Sequence, residues 1–256
     1  METTTATGPI LWGELTWEEI GALAAEGTSM AILPVGATEQ HGPHLPTGMD
    51  TLAATSVAEG VSAQTGVPVL PTIPYGCSLG HTTHWPGTLS LRPETLTRMV
   101  VDMAEWIEAA GFTRLLILNG HVTNWAPLRC ALETIRHERT EMRVAIRSIW
   151  EISDRVKTAY HADVTGFHAN RAETALVQAL RPDLVHMERA VDEPDRSADH
   201  FFSYPVNRES TTGTVGIPSL ASPELGKQIL EFAITDLSIQ VRAAAAELAP
   251  LEAPAR

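Results

Sequence analysis

Met30-Ala31-Ile32-Leu33-Pro34-Val35 leads into Glu39-Gln40-His41-Gly42-Pro43-His44-Leu45-Pro46-Thr47-Gly48-Met49-Asp50 and then into Thr51 to Val61. The succession reads as strand, loop and helix. A short run of consecutive apolar residues suits a strand covered on both faces, and the stretch from Thr51 has helical character. Gly42, Pro43, Pro46 and Gly48 keep the intervening segment from being helix or strand throughout. In α/β proteins, ligand and catalytic groups collect outside the carboxyl ends of parallel strands, and this loop brings two carboxylates and two imidazoles there. Carboxylate oxygen and neutral imidazole nitrogen suit zinc, manganese or iron, whereas a calcium site uses oxygen alone. Asp50 can give one oxygen to each of two ions, leaving Glu39 and His41 to hold one apiece, which predicts a two-metal site. The competing reading is a polar surface loop whose histidines only hydrogen-bond.

Outward from this stretch, strands alternate with helices. Thr16, with Glu19 three residues on, caps a first helix running to about Ala25. Val67 to Ile73 is a second apolar run whose prolines predict an edge position, and Tyr75 to Ser90 is irregular. Pro93 to Ala110 is helical and stops at Gly111. Arg114 to Leu118 is a strand, Asn119 to Asn124 a turn and Trp125 to Arg139 a helix, with Asn124 as its N-cap. Arg143 to Ile146 is a strand candidate. Asn170 to Leu180 is a helix ended by Pro182, residues 191 to 218 are loops, and Ser222 caps a last helix from about Pro223 to Leu248. The expectation is one α/β domain over residues 1–256, with a mainly parallel sheet covered on both faces.

Composition narrows the function. The chain has 256 residues, 44% hydrophobic and 19% charged, with a formal charge of -13. Those values fit a soluble enzyme and argue against nucleic acid, which requires a clustered basic face. Met1 to Gly8 lacks the pattern of a secretory signal, no apolar run approaches the roughly 20 residues of a membrane span, and Cys77 and Cys130 stand outside any CxxC. A cytoplasmic protein with unpaired thiols is expected.

Two more groups complete the candidate site. His121, in Asn119-Gly120-His121, directly follows the strand ending at Leu118, so a parallel sheet places it beside the first loop. His168 and Glu173 lie at the entry of the helix from Asn170. Glu39, His41, Asp50 and His121 supply four ligands, and Glu173 is the candidate for a fifth; its other reading is a carboxylate complementing the helix dipole. His168 suits proton transfer, its unperturbed pKa being near neutrality.

Glu39-x-His41-Gly42-x-His44-Leu45-Pro46-x-x-x-Asp50, Asn119-Gly120-His121 and His168-x-x-x-x-Glu173-Thr174 together resemble the creatininase (creatinine amidohydrolase) family. So do Gly13-Glu14-Leu15-Thr16-Trp17, His84-Trp85-Pro86-Gly87-Thr88 and Pro182-Asp183-Leu184-Val185. The resemblance implies a three-layer α/β/α fold, a binuclear zinc or manganese centre (iron being a further option), a cyclic or small non-peptide amide as substrate, and a homo-oligomer, commonly a hexamer. It carries Glu39, His41, Asp50 and His121 over as metal ligands and His168 as the proton-transfer residue. It also strengthens Glu173 as a ligand with a part in catalysis. Val122 and Thr123 stand where creatininase proper has a tyrosine and a metal-binding glutamate, and Val164 aligns with its substrate-covering tryptophan. Turnover of creatinine is therefore expected to be poor.

The expected chemistry is hydrolysis of an amide C–N bond by metal-activated water. The alternatives are a peptidase or deformylase acting on a biosynthetic precursor, or a non-catalytic metal-stabilised binding protein. Substrate choice is expected in the irregular segments, at Ser78, His84, Trp85, Val122, Trp150 and Val164.

Overall fold

Three runs of β-forming residues lie between helices long enough to return the chain across a face, and they form a parallel sheet. β1 (Met30–Val35), β2 (Arg114–Asn119) and β3 (Arg143–Ser148) pair in the order β1-β2-β3, with Ile32 level with Leu116 and Leu116 with Ala145. The computed structural model describes residues 8–197 and 199–252, so the reading of Met1 to Gly8, Gly8 apart, lies outside the described residues.

The helices are α1 (Trp17–Ala25), α2 (Met49–Thr65), α3 (Pro93–Ala109), α4 (Trp125–Glu138), α5 (Asp154–Tyr160), α6 (Arg171–Leu180) and α7 (Pro223–Ala245). Successive strand side chains point to opposite faces, so each strand feeds two cores. Ala31, Leu33, Val35, Leu115 and Ile117 pack with Leu96 and Val100 of α3 and Leu128 and Ile135 of α4. Ile32, Leu116 and Leu118 pack on the other side with Val57 and Val61 of α2, Leu176 of α6, and Ile229 and Leu237 of α7. At about 1.5–3 kcal/mol for each large aliphatic side chain buried, these two faces hold the three layers together and fix where the strand ends lie.

Local signals act as the sequence predicts at several ends. Thr16 and Glu19 form a reciprocal capping box on α1, and the Ser222 hydroxyl accepts from the Leu225 N–H at the start of α7. Other boundaries shift. α2 starts at Met49, placing Asp50 in its first turn rather than on the loop, because the cap is Gly48, which has no side chain to announce it. Val67–Ile73 forms no regular strand, since Pro68 and Pro71 have no N–H to give. Val69 and Ile73 make single parallel bridges to Ile32 and Val35, and Leu11 bridges Val69 on the far side, so the run is not the edge. Asn170 caps α6 instead of beginning it, its amide oxygen accepting from the Ala172 and Glu173 N–H groups. Asn124 is not a side-chain cap: a 3-10 turn at Val122–Asn124 already gives it helical dihedrals. Its amide instead accepts from the Cys77 N–H at 2.8 Å and donates to the Gly36 carbonyl at 3.0 Å, tying the loop after β1 to the irregular segment.

α5 and the turn before it, Ile149–Glu151, have no counterpart in the sequence reading. The described residues of 191–218 are irregular as expected apart from a 3-10 turn at Val206–Arg208, with bridges His168–Val215 and Glu193–Gly216. Among the described residues no helix is long and apolar enough to cross a membrane. Cys77 is buried, Cys130 is exposed, and neither is paired.

Candidate metal centre and its cavity

The carboxyl ends of β1 and β2 bring Glu39, His41, Asp50 and His121 together in the interior. Close packing between α2 and the loop after β2 sets the last step. A Cβ on Gly120 would lie 2.5 Å from the Asp50 carbonyl oxygen, so only glycine lets the chain pass α2 closely enough to seat His121 against Asp50. Asp50 Oδ1 is 3.2 Å from His41 Nε2, and Asp50 Oδ2 is 3.1 Å from His121 Nδ1. Each carboxylate oxygen thus faces a different imidazole.

The outer nitrogens of these rings are already committed. His41 Nδ1 donates to the Glu39 carbonyl at 3.1 Å and His121 Nε2 to the Cys77 carbonyl at 3.0 Å. A neutral imidazole has one N–H, so the nitrogen each ring turns toward Asp50 carries a lone pair. Lone pair against carboxylate at about 3 Å is repulsive unless a proton or a cation lies between them. A backbone carbonyl on the far nitrogen is also the usual way a metal-ligating histidine is oriented.

Among the described residues, three groupings have the donors and spacing to hold a metal ion: Glu39, Asp50 and His121; His41, Asp50 and Glu173; and Glu39, His41 and His168. Asp50 belongs to the first two. Glu39 is fully buried, and neither of its carboxylate oxygens nor Asp50 Oδ2 makes a hydrogen bond of good geometry, although His121 Nε2 lies 3.1 Å from Glu39 Oε2. Buried unpaired carboxylate oxygens are costly, and divalent cations answer that cost with the oxygen and nitrogen donor set present. Glu173, at the first turn of α6, has Oε2 2.6 Å from the Ala169 N–H.

Without a metal, protons stand in. Burial would depress His41, but the Asp50 carboxylate, helped by Glu173 and Glu39, carries it up to about 10. Burial likewise opposes the charge on His121, and Glu39 and Asp50 raise it to about 9. Burial lifts Glu173 to about 7 against the pull of His41.

His168 is different. Burial, with His41 and His81 nearby, holds it well below its ordinary value, so the ring is neutral. Its Nε2 donates to the Gln40 carbonyl at 2.7 Å, and Nδ1 faces Glu39 Oε1 at 3.4 Å. Two neighbours were not singled out from the sequence. His81, kept neutral by burial and by His121 and His41 at a pKa of about 3, lies 3.4 Å from Glu39 Oε1, and the Gln40 amide nitrogen is 2.8 Å from His81 Nδ1. Gln40 stands inside the motif itself, so its position was a usable signal; His81 lay in a stretch with no regular period.

The cluster opens into a cavity of about 300 Å³. Val122 and Trp150 line it, and Trp150 meets Phe167 edge-on at 6.0 Å. The other expected substrate contacts are not brought into this wall. Ser78 is buried behind His121, its hydroxyl 3.3 Å from Nε2. His84 is exposed and packs edge-on against Trp85, whose ring is 6.4 Å from that of His81. Val164 lines a separate groove with Asp163 and Asp192, because the chain enters the cavity only from Thr165 onward. Ser197, Val206 and Glu209, from the loop that follows α6, complete the lining.

Residues 13–241 match the family described as Creatininase: Creatinine amidohydrolase. The chain belongs to the creatininase family. It is 34% identical over 247 residues to a creatinine amidohydrolase of Pseudomonas putida, covering 90% of this chain and 95% of that protein. It is 30% identical over 239 residues to a 3-dehydro-scyllo-inosose hydrolase of Thermotoga maritima, covering 83% and 76%. Among solved structures, a manganese form of creatininase superposes with a TM-score of 0.81 at 32% identity, covering 93% of this chain and 100% of that one. A Zn-Zn creatininase variant gives 0.79 at 32% identity over 94% and 100%. The α/β architecture is therefore that of creatininase.

Proposed function

We propose that this creatininase-family chain is a binuclear metal-dependent amidohydrolase acting on a small amide C–N bond. The observation that carries the reading is Asp50, whose two oxygens face His41 and His121 from opposite ends of one carboxylate. His41, Asp50 and Glu173 would hold one ion, and Glu39, Asp50 and His121 the other. Two such ions polarise a carbonyl and lower the pKa of water toward neutrality.

The chain's own groups supply the rest. His168 is neutral, with its proton on Nε2 held by the Gln40 carbonyl, so Nδ1 is free to act as a base toward the cluster. It takes a proton from the attacking water and delivers it to the leaving nitrogen as the C–N bond breaks. Trp150 and Phe167, set edge to face, provide an apolar wall for the substrate, and Val122 leaves that wall open. We also take the protein to be a cytoplasmic homo-oligomer, a hexamer by family likeness, which analytical ultracentrifugation tests.

Elemental analysis after purification with zinc or manganese supplied, followed by a screen of lactams, cyclic ureas, formamides and short peptides, tests the function. About two equivalents of metal and turnover of a small amide are expected; less than one equivalent refutes the reading. Creatinine belongs in the screen as a poor substrate, and a kcat of about 10 per second or more would overturn that expectation.

A further inference from the structure

The cavity contains no lysine or arginine among its described lining residues. Outside the metal cluster and its flanking His81 and His168, its ionisable groups are His161 and Glu209. His161 is occupied, its Nδ1 donating to the Thr165 carbonyl at 2.9 Å. Glu209 has no Lys, Arg or His within ion-pair distance among the described residues; burial and the Asp195 carboxylate press against its charge, while the Tyr204 N–H and the more distant His200 support it. The carboxylates of the cluster are committed to cations, so Glu209 is the anion left to face a substrate.

That anion is held in place. The residue after it, Ser210, begins a clasp in which the buried Glu193 carboxylate accepts from the Ser210 hydroxyl, from the Thr211 hydroxyl at 2.7 Å and N–H at 3.1 Å, and from the Thr212 hydroxyl at 2.8 Å and N–H at 3.1 Å. Arg196 crosses the same neck, donating to Glu193 Oε1 at 3.2 Å and to the Glu209 carbonyl at 3.0 Å. A loop that would otherwise be mobile is thereby tied at its root. A preorganised charge in a partly desolvated wall discriminates more strongly than one on a free loop.

We propose that Glu209 selects substrates carrying a cationic nitrogen group, an amine, amidine or guanidinium, set apart from the amide that is cleaved. The proposal rests on the amidohydrolase reading for what is cleaved, and on the cavity alone for what is bound. Substrates with a carboxylate at that end, away from the metal cluster, are disfavoured, because Glu209 repels it and no lysine or arginine lines the cavity to receive it.

Benzamidine, benzamide and benzoate test this, being nearly isosteric planar probes that differ in charge. Their affinities for the zinc-loaded protein are read by calorimetry, without turnover, so the test stands whether or not any amide is hydrolysed. Glu209→Gln keeps an acceptor for the Tyr204 N–H. It is expected to weaken benzamidine about tenfold, the scale of one charge-assisted contact, and to leave benzamide unchanged. Glu209→Lys is expected to weaken benzamidine further and to tighten benzoate. Equal benzamidine affinity in wild type and Glu209→Gln, or a parallel loss of benzamide, overturns the proposal.

Discussion

Replacing Asp50 with asparagine should abolish binding of both metal ions, whereas replacing Glu173 with glutamine should remove only one. The asymmetry comes from the groupings: Asp50 is shared by two, while Glu173 appears only with His41 and Asp50. A ligand that binds only the folded state stabilises it by about 2.7 kcal/mol at a free concentration 100 times its Kd. Two zinc ions at that level give about 5 kcal/mol. For a chain of 256 residues, taking roughly 2–4 °C per kcal/mol, the melting temperature should rise by about 10–20 °C on adding zinc. Glu173→Gln should keep about half of that rise and Asp50→Asn almost none. The comparison is made within each variant, with zinc against chelator, because removing a buried carboxylate also changes the metal-free protein. Scanning calorimetry read alongside metal content per chain is the assay. If Asp50→Asn retains one tightly bound ion and half the thermal shift, Asp50 is a terminal ligand and the bridging argument fails.

His168→Ala should lower kcat by about 10² to 10⁴ with metal content unchanged; loss of an ion instead would reassign His168 as a ligand, which its place near Glu39 and His41 allows. Gly120→Ala should cost about 1–3 kcal/mol in urea unfolding and weaken zinc binding, since the added methyl meets the Asp50 carbonyl; unaltered zinc affinity would show that the cluster tolerates the shift. Glu193 is held well below the ordinary carboxylate range, its burial outweighed by the bonds from Ser210, Thr211 and Thr212. Its stabilising contribution should therefore be complete above the unfolded value of about 4.3 and decline as pH falls toward the folded value. In chelator, Glu193→Gln should be less stable than wild type at pH 7 and the gap should close in acid; a gap independent of pH would place the effect elsewhere.

The sheet was legible because β1 and β2 are continuous apolar runs and the motifs sit at their ends. Glu39, His41, Asp50 and His121 were legible for the same reason: side chains following adjacent parallel strands must converge. Residues whose positions depend on packing between distant segments were not. Asn124 looked like a helix cap because sequence shows only its neighbours, whereas its partners, Cys77 and Gly36, are 47 and 88 positions away. Val164 aligned with a family position yet lies outside the cavity, since a turn of one residue decides which wall a side chain joins. Glu209 comes from a stretch without period, whose shape is fixed by bonds to distant positions, the Glu193 clasp across 17 or more positions and Arg196 on the Glu209 carbonyl.

Ala169 is the one non-glycine described with a positive φ, 51°, and it sits fully buried between His168 and the cap of α6. A left-handed alanine costs roughly 1–2 kcal/mol, which glycine would relieve, while glycine would also give the unfolded chain about 0.4–1 kcal/mol more freedom. The two contributions oppose each other, so Ala169→Gly should leave the unfolding midpoint almost where it was. The left-handed angle is held against the methyl's own preference by the bonds on either side of it, His168 pairing with the Val215 backbone at 3.0 and 2.7 Å and the Ala169 N–H donating to Glu173 Oε2 at 2.6 Å. Glycine would loosen the joint between His168 and the first turn of α6, so a screen for stability would pass the variant as neutral while a screen for rate would read out how rigid that joint has to be.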